Sequence, residues 1–249
     1  MHILIVVNYA HTRLGTVGRA LEEAGASFDL VRADLGETVP DDHAPYDGLI
    51  TFGGGQNALA DEAYPHLPQL AELTRRFGAA DKAVLGICLG SQLVARGHGG
   101  ANIIGRPLEF GWQEVRPTAA GRADPVIAAL GDGAPLFHWH NDTFELPPGG
   151  VHLAESDLTR HQAVRIGRAV YAIQFHFEAD TSVVADWTVD YAGLLADQAP
   201  DWNERFPAEA ETLGKRADEV GLALARAWVA QVRPSGAVPA AMVPDAASA

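Results

Sequence analysis

Residues 83–95 read AVLGICLGSQLVA, and the way this stretch folds decides the architecture around it. Its first five residues form a continuous apolar run, as expected of a strand covered on both faces. From Leu89 onward, LGSQLVARG reads as a helix. Between them lies Gly86-Ile87-Cys88-Leu89-Gly90, a glycine–x–nucleophile–x–glycine elbow with cysteine at its apex. So sharp a bend strains the central residue and leaves no room for side chains two positions away on either side. The unpaired N–H groups of the helix start favour negative charge there. The pentapeptide alone serves equally well as a nucleophile elbow or as a small buried hydrophobe between structural glycines.

Upstream, the same alternation repeats. Residues 2–7 (HILIVV), 27–31 (SFDLV) and 48–52 (GLITF) read as strands. Leu14, Val17, Leu21 and Ala24 recur at helical spacing, with Gly25 as C-cap. A second helix starts near Pro65, carries Leu67, Leu70, Leu73 and Phe77, and stops at Gly78. Asp61 and Glu62 are placed to cap it. Strand and helix alternating over a hundred residues predict an open, mainly parallel sheet with helices on both faces.

Residues 102–175 differ: short apolar pieces broken by Gly and Pro predict a small mixed or antiparallel β region. Residues 169–175 (AVYAIQF) close it with a strong strand. Beyond Asp180 the pattern predicts a helical extension over 181–232, with helices at 182–196 and 208–232. The latter carries Leu213, Ala217, Val220, Leu224 and Trp228 on one stripe. The segment 233–249 is rich in Ala and Pro without periodicity and reads as a disordered tail.

The formal net charge of −14 argues against a nucleic-acid partner. No apolar run approaches a membrane span, and the N-terminus reads as a buried strand with no basic region before it, so a cytoplasmic protein is expected. With one cysteine in 249 residues, no internal disulfide is possible.

Two further elements carry chemistry. Gln174-Phe175-His176-Phe177-Glu178 follows the strong strand, and residues two apart on an extended backbone face one way. His176 and Glu178 then suit a base and its orienter near a thiol. Alone, they also suit a surface histidine beside a solvated glutamate. Phe52-Gly53-Gly54-Gly55-Gln56 follows another strand. Its glycines could offer N–H groups to an oxyanion, make a plain turn, or cradle a phosphate. No GxxxxGK[ST] occurs, so no ATP site is expected.

Taken together and in this order, GICLGSQLVA (86–95), QFHFE (174–178) and ITFGGG (50–55) resemble the class I, or triad, glutamine amidotransferase family. EFGWQEV (109–115) and HWHNDTFELPPG (138–149) resemble its stand-alone, GMP-synthase-like branch. The resemblance covers about residues 1–180, taken as the catalytic domain, and implies a flavodoxin-like α/β fold. It implies that Cys88 attacks a glutamine amide, that His176 relays the proton, and that Glu178 holds the imidazole. Backbone N–H groups of Gly54 and Leu89 would form the oxyanion hole. Gln92, Trp139, His140 and Asn141 would bind the substrate. It implies no cofactor, and a synthetase partner subunit wherever the ammonia is used for synthesis. The sequence departs from the family pattern at Gly55 and Phe177, both usually proline, and at Asn141, usually glycine.

Three alternatives stand beside this reading. A γ-glutamyl hydrolase or peptidase would use the same triad, and a non-catalytic scaffold would keep the elbow only for folding. A metal hydrolase would use His138-x-His140-x-Asp142, but Thr143 stands where such sites place another histidine, and the resemblance makes the segment pocket wall. No metal is therefore assigned. His11, His43, His98 and His161 have no motif around them and read as surface or loop residues. Trp112, Trp187, Trp202 and Trp228 read as packing aromatics.

Overall fold

The computed structural model describes residues 1–234. The expected tail at 233–249 therefore lies outside the described residues apart from its first two positions.

Strand β1 (His2–Val7) is buried from Ile3 on. Ile3, Ile5 and Val7 enter one core layer and Leu4 and Val6 the other, because alternate side chains leave a strand on opposite faces. Helix α1 (Gly15–Glu23) buries Val17, Ala20 and Leu21, and Gly25 ends it with φ +62°. The chain returns as β2 (Ser27–Arg32) and then β3 (Gly48–Thr51), both parallel to β1. Helix α2 (His66–Ala79) and β4 (Ala83–Ile87) follow, with β4 parallel to β3, and then α3 (Leu89–Gly97). No side chain caps α2; Asp61 instead grips Arg96 through two hydrogen bonds of 2.7 and 2.6 Å. The guanidinium offers a bidentate, charge-assisted partner, and this outweighs a cap four residues from the helix.

The remaining strands are β5 (Asn102–Ile103), β6 (Glu109–Pro117), β7 (Ala134–His140), β8 (Thr143–Phe144), β9 (Gly150–Glu155), β10 (Ala163–Ile166) and β11 (Val170–Ile173), with a short α4 (Ala119–Arg122) after β6. The nine-stranded sheet runs β2-β1-β3-β4-β11-β10-β9-β6-β7. Its first five strands are parallel and the rest antiparallel. Most of the expected mixed or antiparallel β region prolongs the main sheet as its antiparallel part, and β5 and β8 pair apart from it. The cause is β11: it pairs in parallel with β4, and its other edge is free to accept β10 as a hairpin turning at Gly167, φ +56°. The result is an α/β fold of flavodoxin-like type.

After the sheet come α5 (Thr181–Asp190), α6 (Ala192–Gln198), α7 (Trp202–Glu209) and α8 (Lys215–Val229). Asp180 caps α5 by accepting from the N–H groups of Ser182 and Val183. The helix expected over 182–196 breaks at Tyr191, whose ψ of 26° leaves the helical range. The one expected from 208 starts earlier, at Trp202, and carries a π-helical turn over Ala210–Gly214 before α8. The wider turn rotates what precedes it. Leu213 is consequently 37% exposed, while Ala217, Val220, Leu224 and Trp228 stay buried. Trp228 is fully buried, and its indole N–H donates to the Val84 carbonyl of β4 at 3.2 Å. Among the described residues no helix is long and apolar enough to cross a membrane.

Candidate active site

Strands β4 and β11 are neighbours in register Ile87↔Ile173, so the segments leaving them start level with each other. The Cys88 N–H donates to the Ile173 carbonyl at 2.9 Å and closes the ladder. Cys88 then takes φ +52°, which non-glycine residues rarely adopt. The flanking glycines permit the bend. A Cβ on Gly86 would fall 2.4 Å from the Gly90 carbonyl oxygen, and one on Gly90 would fall 2.1 Å from that of Thr51.

Beyond Ile173 the chain leaves the strand. Two backbone bonds steer it: Gln174 N–H to the Gln162 carbonyl at 2.9 Å, and His176 N–H to the Phe137 carbonyl of β7 at 2.8 Å. His176 Nδ1 meets Glu178 Oε1 at 2.7 Å, and the ring and the Cys88 sulfur flank Gly53, where a Cβ would lie 3.1 Å from His176 Cε1 and 3.8 Å from Cys88 Sγ. Burial alone would push the His176 pKa down. The Glu178 carboxylate and the Cys88 sulfur outweigh it and raise it to about 10. Phe177, which replaces the family's proline, is buried against Phe175, and the 2.7 Å contact between Glu178 and His176 is present with it in place.

The first residues of α1 hold the backbone of Phe177 and Glu178. Thr16 donates its N–H to the Glu178 carbonyl at 3.0 Å and its hydroxyl to the Phe177 carbonyl at 2.9 Å. Gly15 lies so close, at φ +47°, that a Cβ would fall 1.8 Å from the Glu178 carbonyl oxygen. Neither residue carries a sequence signal for this task.

Cys88, His176 and Glu178 open onto one cleft of about 140 Å³. Gly53, Gly54 and Gly55 form part of its floor. Gly53 sits against both the cysteine and the imidazole: a Cβ there would be 3.3 Å from Cys88 Cβ and 3.1 Å from His176 Cε1. Gly54 and Leu89, the expected oxyanion pair, are adjacent, since a Cβ on Gly54 would fall 2.9 Å from Leu89 Cδ2. Of the four expected substrate-binding residues, Trp139 lines the cleft. Gln92 is buried beside it, donating to the Asp142 carbonyl at 3.2 Å and to Gln174 Oε1 at 3.3 Å. His140 is buried against Glu109, and Asn141 is exposed. These three lie outside the cleft lining. Asp142, third member of the H-x-H-x-D spacing, accepts the Gly105 N–H at 2.8 Å, and Glu109 is the carboxylate that meets the two histidines.

Sequence reasoning did not assign the rest of the lining. Tyr9, His11 and Thr12 come from the loop after β1, Trp187 from α5, Leu194 from α6 and Tyr191 from the break between those helices. Trp187 stands edge-on to the His176 ring at 5.2 Å, so it packs this imidazole as well as the core. His11 pairs with Asp190 at 3.0 Å, and His161 is buried, facing the Phe144 carbonyl at 3.0 Å.

A largely parallel sheet with a strained cysteine elbow and a His–Glu pair at its edge is an arrangement of the nucleophile-elbow type, and comparisons give the family. The model for glutamine amidotransferase class-I matches residues 5–185, and the chain belongs to that family. It is 33% identical to the glutamine amidotransferase-like protein YfeJ of Salmonella typhimurium over 74% of this chain and 78% of that one. It is 28% identical to a subunit of the glutamine-hydrolyzing GMP synthase of Methanosarcina barkeri, over 72% and 87% of the two chains. It is 29% identical to γ-glutamyl peptidase 3 of Arabidopsis thaliana, over 65% and 67%. A crystal structure of a glutamine amidotransferase from Thermotoga maritima superposes with a TM-score of 0.79 at 25% identity, over 94% of this chain and 99% of that one.

Proposed function

We propose that this chain cleaves the side-chain amide of glutamine through a thioester on Cys88. The observation that carries the reading is the placement of Cys88 and His176 on either side of Gly53 in one cleft, with His176 Nδ1 held by Glu178 at 2.7 Å. In the first step the sulfur, whose proton His176 already carries, bonds to the amide carbon. The carbon–nitrogen bond then breaks as His176 returns that proton to the departing ammonia. In the second step water attacks the thioester, His176 removes its proton, and glutamate leaves as sulfur regains a hydrogen. Gly54 and Leu89 N–H groups would stabilise the oxyanion. The likeness to a GMP synthase subunit from Methanosarcina barkeri supports a synthetase partner that would accept the ammonia.

One observation favours a second reading. The cleft wall over the triad is aromatic, with Tyr9, Trp139, Trp187 and Tyr191. Departing ammonia needs no apolar surface, whereas the amine of a γ-glutamyl amide with an apolar substituent would be desolvated against it. The likeness to γ-glutamyl peptidase 3 supports the same direction.

The test is covalent labelling with a diazo-ketone analogue of glutamine. Modification at Cys88, blocked by excess glutamine and absent in Cys88→Ala, is expected. Labelling elsewhere, or none, overturns the thioester reading. Comparing kcat/KM for glutamine and for γ-glutamyl anilides then separates the two substrates.

A further inference from the structure

Behind the triad, on the side of β7 away from the cleft lining, three side chains converge: Glu109 at the start of β6, and His138 and His140 on β7. All three are buried, at 2%, 0% and 7% exposure. His140 Nε2 lies 3.3 Å from Glu109 Oε2, His138 Nδ1 lies 3.4 Å from His140 Nε2, and His138 Nδ1 lies 3.8 Å from Glu109 Oε1.

Hydrogen-bond accounting leaves this cluster short of positive charge. His140 Nδ1 faces the Asp142 carbonyl at 3.1 Å, and a carbonyl only accepts, so Nδ1 carries the hydrogen. Nε2 then faces a carboxylate oxygen, which is also an acceptor, so a positive charge, a proton or a metal ion, belongs between the two. Glu109 is itself fixed by Ser156, donating at 2.6 Å, and by Gln162, donating at 2.9 Å. Gln162 Oε1 is buried with no partner among the described residues. Tetrahedral zinc with ligands at about 2.0–2.2 Å separates its ligand atoms by about 3.3–3.6 Å. The shortest separations, 3.3–3.8 Å with a different Glu109 oxygen facing each histidine, are near that range, and one ligand atom from each residue lies within 4.8 Å of the others. A carbonyl fixing the far nitrogen of one histidine, and donors fixing the carboxylate, are the outer partners that such sites carry.

We propose that Glu109, His138 and His140 bind a zinc-class divalent cation in a buried site apart from the cleft, as three protein ligands. The ion would tie β6 to β7. Strand β7 supplies the Phe137 carbonyl that anchors the His176 N–H, so the ion would stiffen the support of the base without touching substrate. None of its ligands lines the cleft.

The experiment uses the full chain, purified without a metal-affinity tag from zinc-supplemented cultures. Elemental analysis should find about one zinc per chain. Chelation should lower the thermal midpoint, and zinc chloride alone should restore it. Glu109→Gln and His140→Gln should lose both the metal and the response, while Cys88→Ala keeps them, separating this site from the thiol. Wild-type protein with no stoichiometric zinc, cobalt, nickel or manganese, and the same midpoint with chelator or added zinc, overturns the proposal; the cluster is then an imidazolium–carboxylate pair. Loss of metal in Cys88→Ala, with retention in His140→Gln, overturns it equally. The wild-type comparison decides the matter even where a variant does not fold.

Discussion

Gly53→Ala places one methyl group between the proposed nucleophile and its base. The new carbon would lie 3.1 Å from His176 Cε1 and 3.3 Å from Cys88 Cβ, where ordinary contacts begin at 3.4 Å. The imidazole must therefore retreat by about 0.3 Å, and the cysteine by about 0.1 Å. A misplacement of about 1 Å lowers rates on the order of a hundredfold. Scaled in free energy to the smaller shift, the loss is roughly 4- to 6-fold. Overpacking adds a stability loss near the low end of about 1–3 kcal/mol, because one side of the site is an open cleft. The midpoint should then fall by about 2–4 °C. The assay is the second-order rate of Cys88 labelling by the diazo-ketone glutamine analogue, followed by intact mass and paired with thermal unfolding. A folded variant that labels within twofold of wild type would refute the placement of sulfur and ring on either side of Gly53.

Glu178→Gln removes the charge that helps hold His176 protonated. Because its folded pKa of about 10 exceeds the usual 6.5, the pair's contribution to stability is complete below about pH 6.5 and fades as pH rises toward 10. The wild-type midpoint should drop across that window and the variant's should drop less; parallel curves would contradict the assignment. Its kcat/KM should fall about 10²- to 10⁴-fold, short of the loss in Cys88→Ala, since the carboxylate orients and does not react. Trp228→Ala should destabilise by about 3–5 kcal/mol in denaturant titrations, through the cavity it opens beneath β4. Trp228→Phe should lose less, about 1–2 kcal/mol, because the ring packing partly remains while the Val84 carbonyl loses its donor.

The elbow was legible because its chemistry is local: strand, two glycines, cysteine and helix occupy one short stretch. The spacing of His176 and Glu178 was equally local, although the two meet beyond the strand rather than on it. The cleft wall was not legible. Tyr9 and Tyr191 stack at 5.8 Å across the mouth, yet they arrive from opposite ends of the chain. Trp187 was read as packing, which it is, but apolar periodicity cannot reveal that its neighbour is the proposed base. Leu213 left its stripe because a π turn shifts the helical phase, and residue type does not announce such a turn. His140 moved from wall to interior because Glu109, distant in sequence, offered a buried carboxylate that spacing alone could not anticipate.

The pairing of Ile87 with Ile173 has a consequence for the newly made chain. During synthesis the sulfur emerges long before the imidazole that would activate it. The two become partners only when the eleventh strand inserts between the fourth and the tenth. Until β11 pairs with β4 the proposed nucleophile lacks its proposed base. The order in which residues leave the ribosome would therefore separate the two until most of the chain has been made.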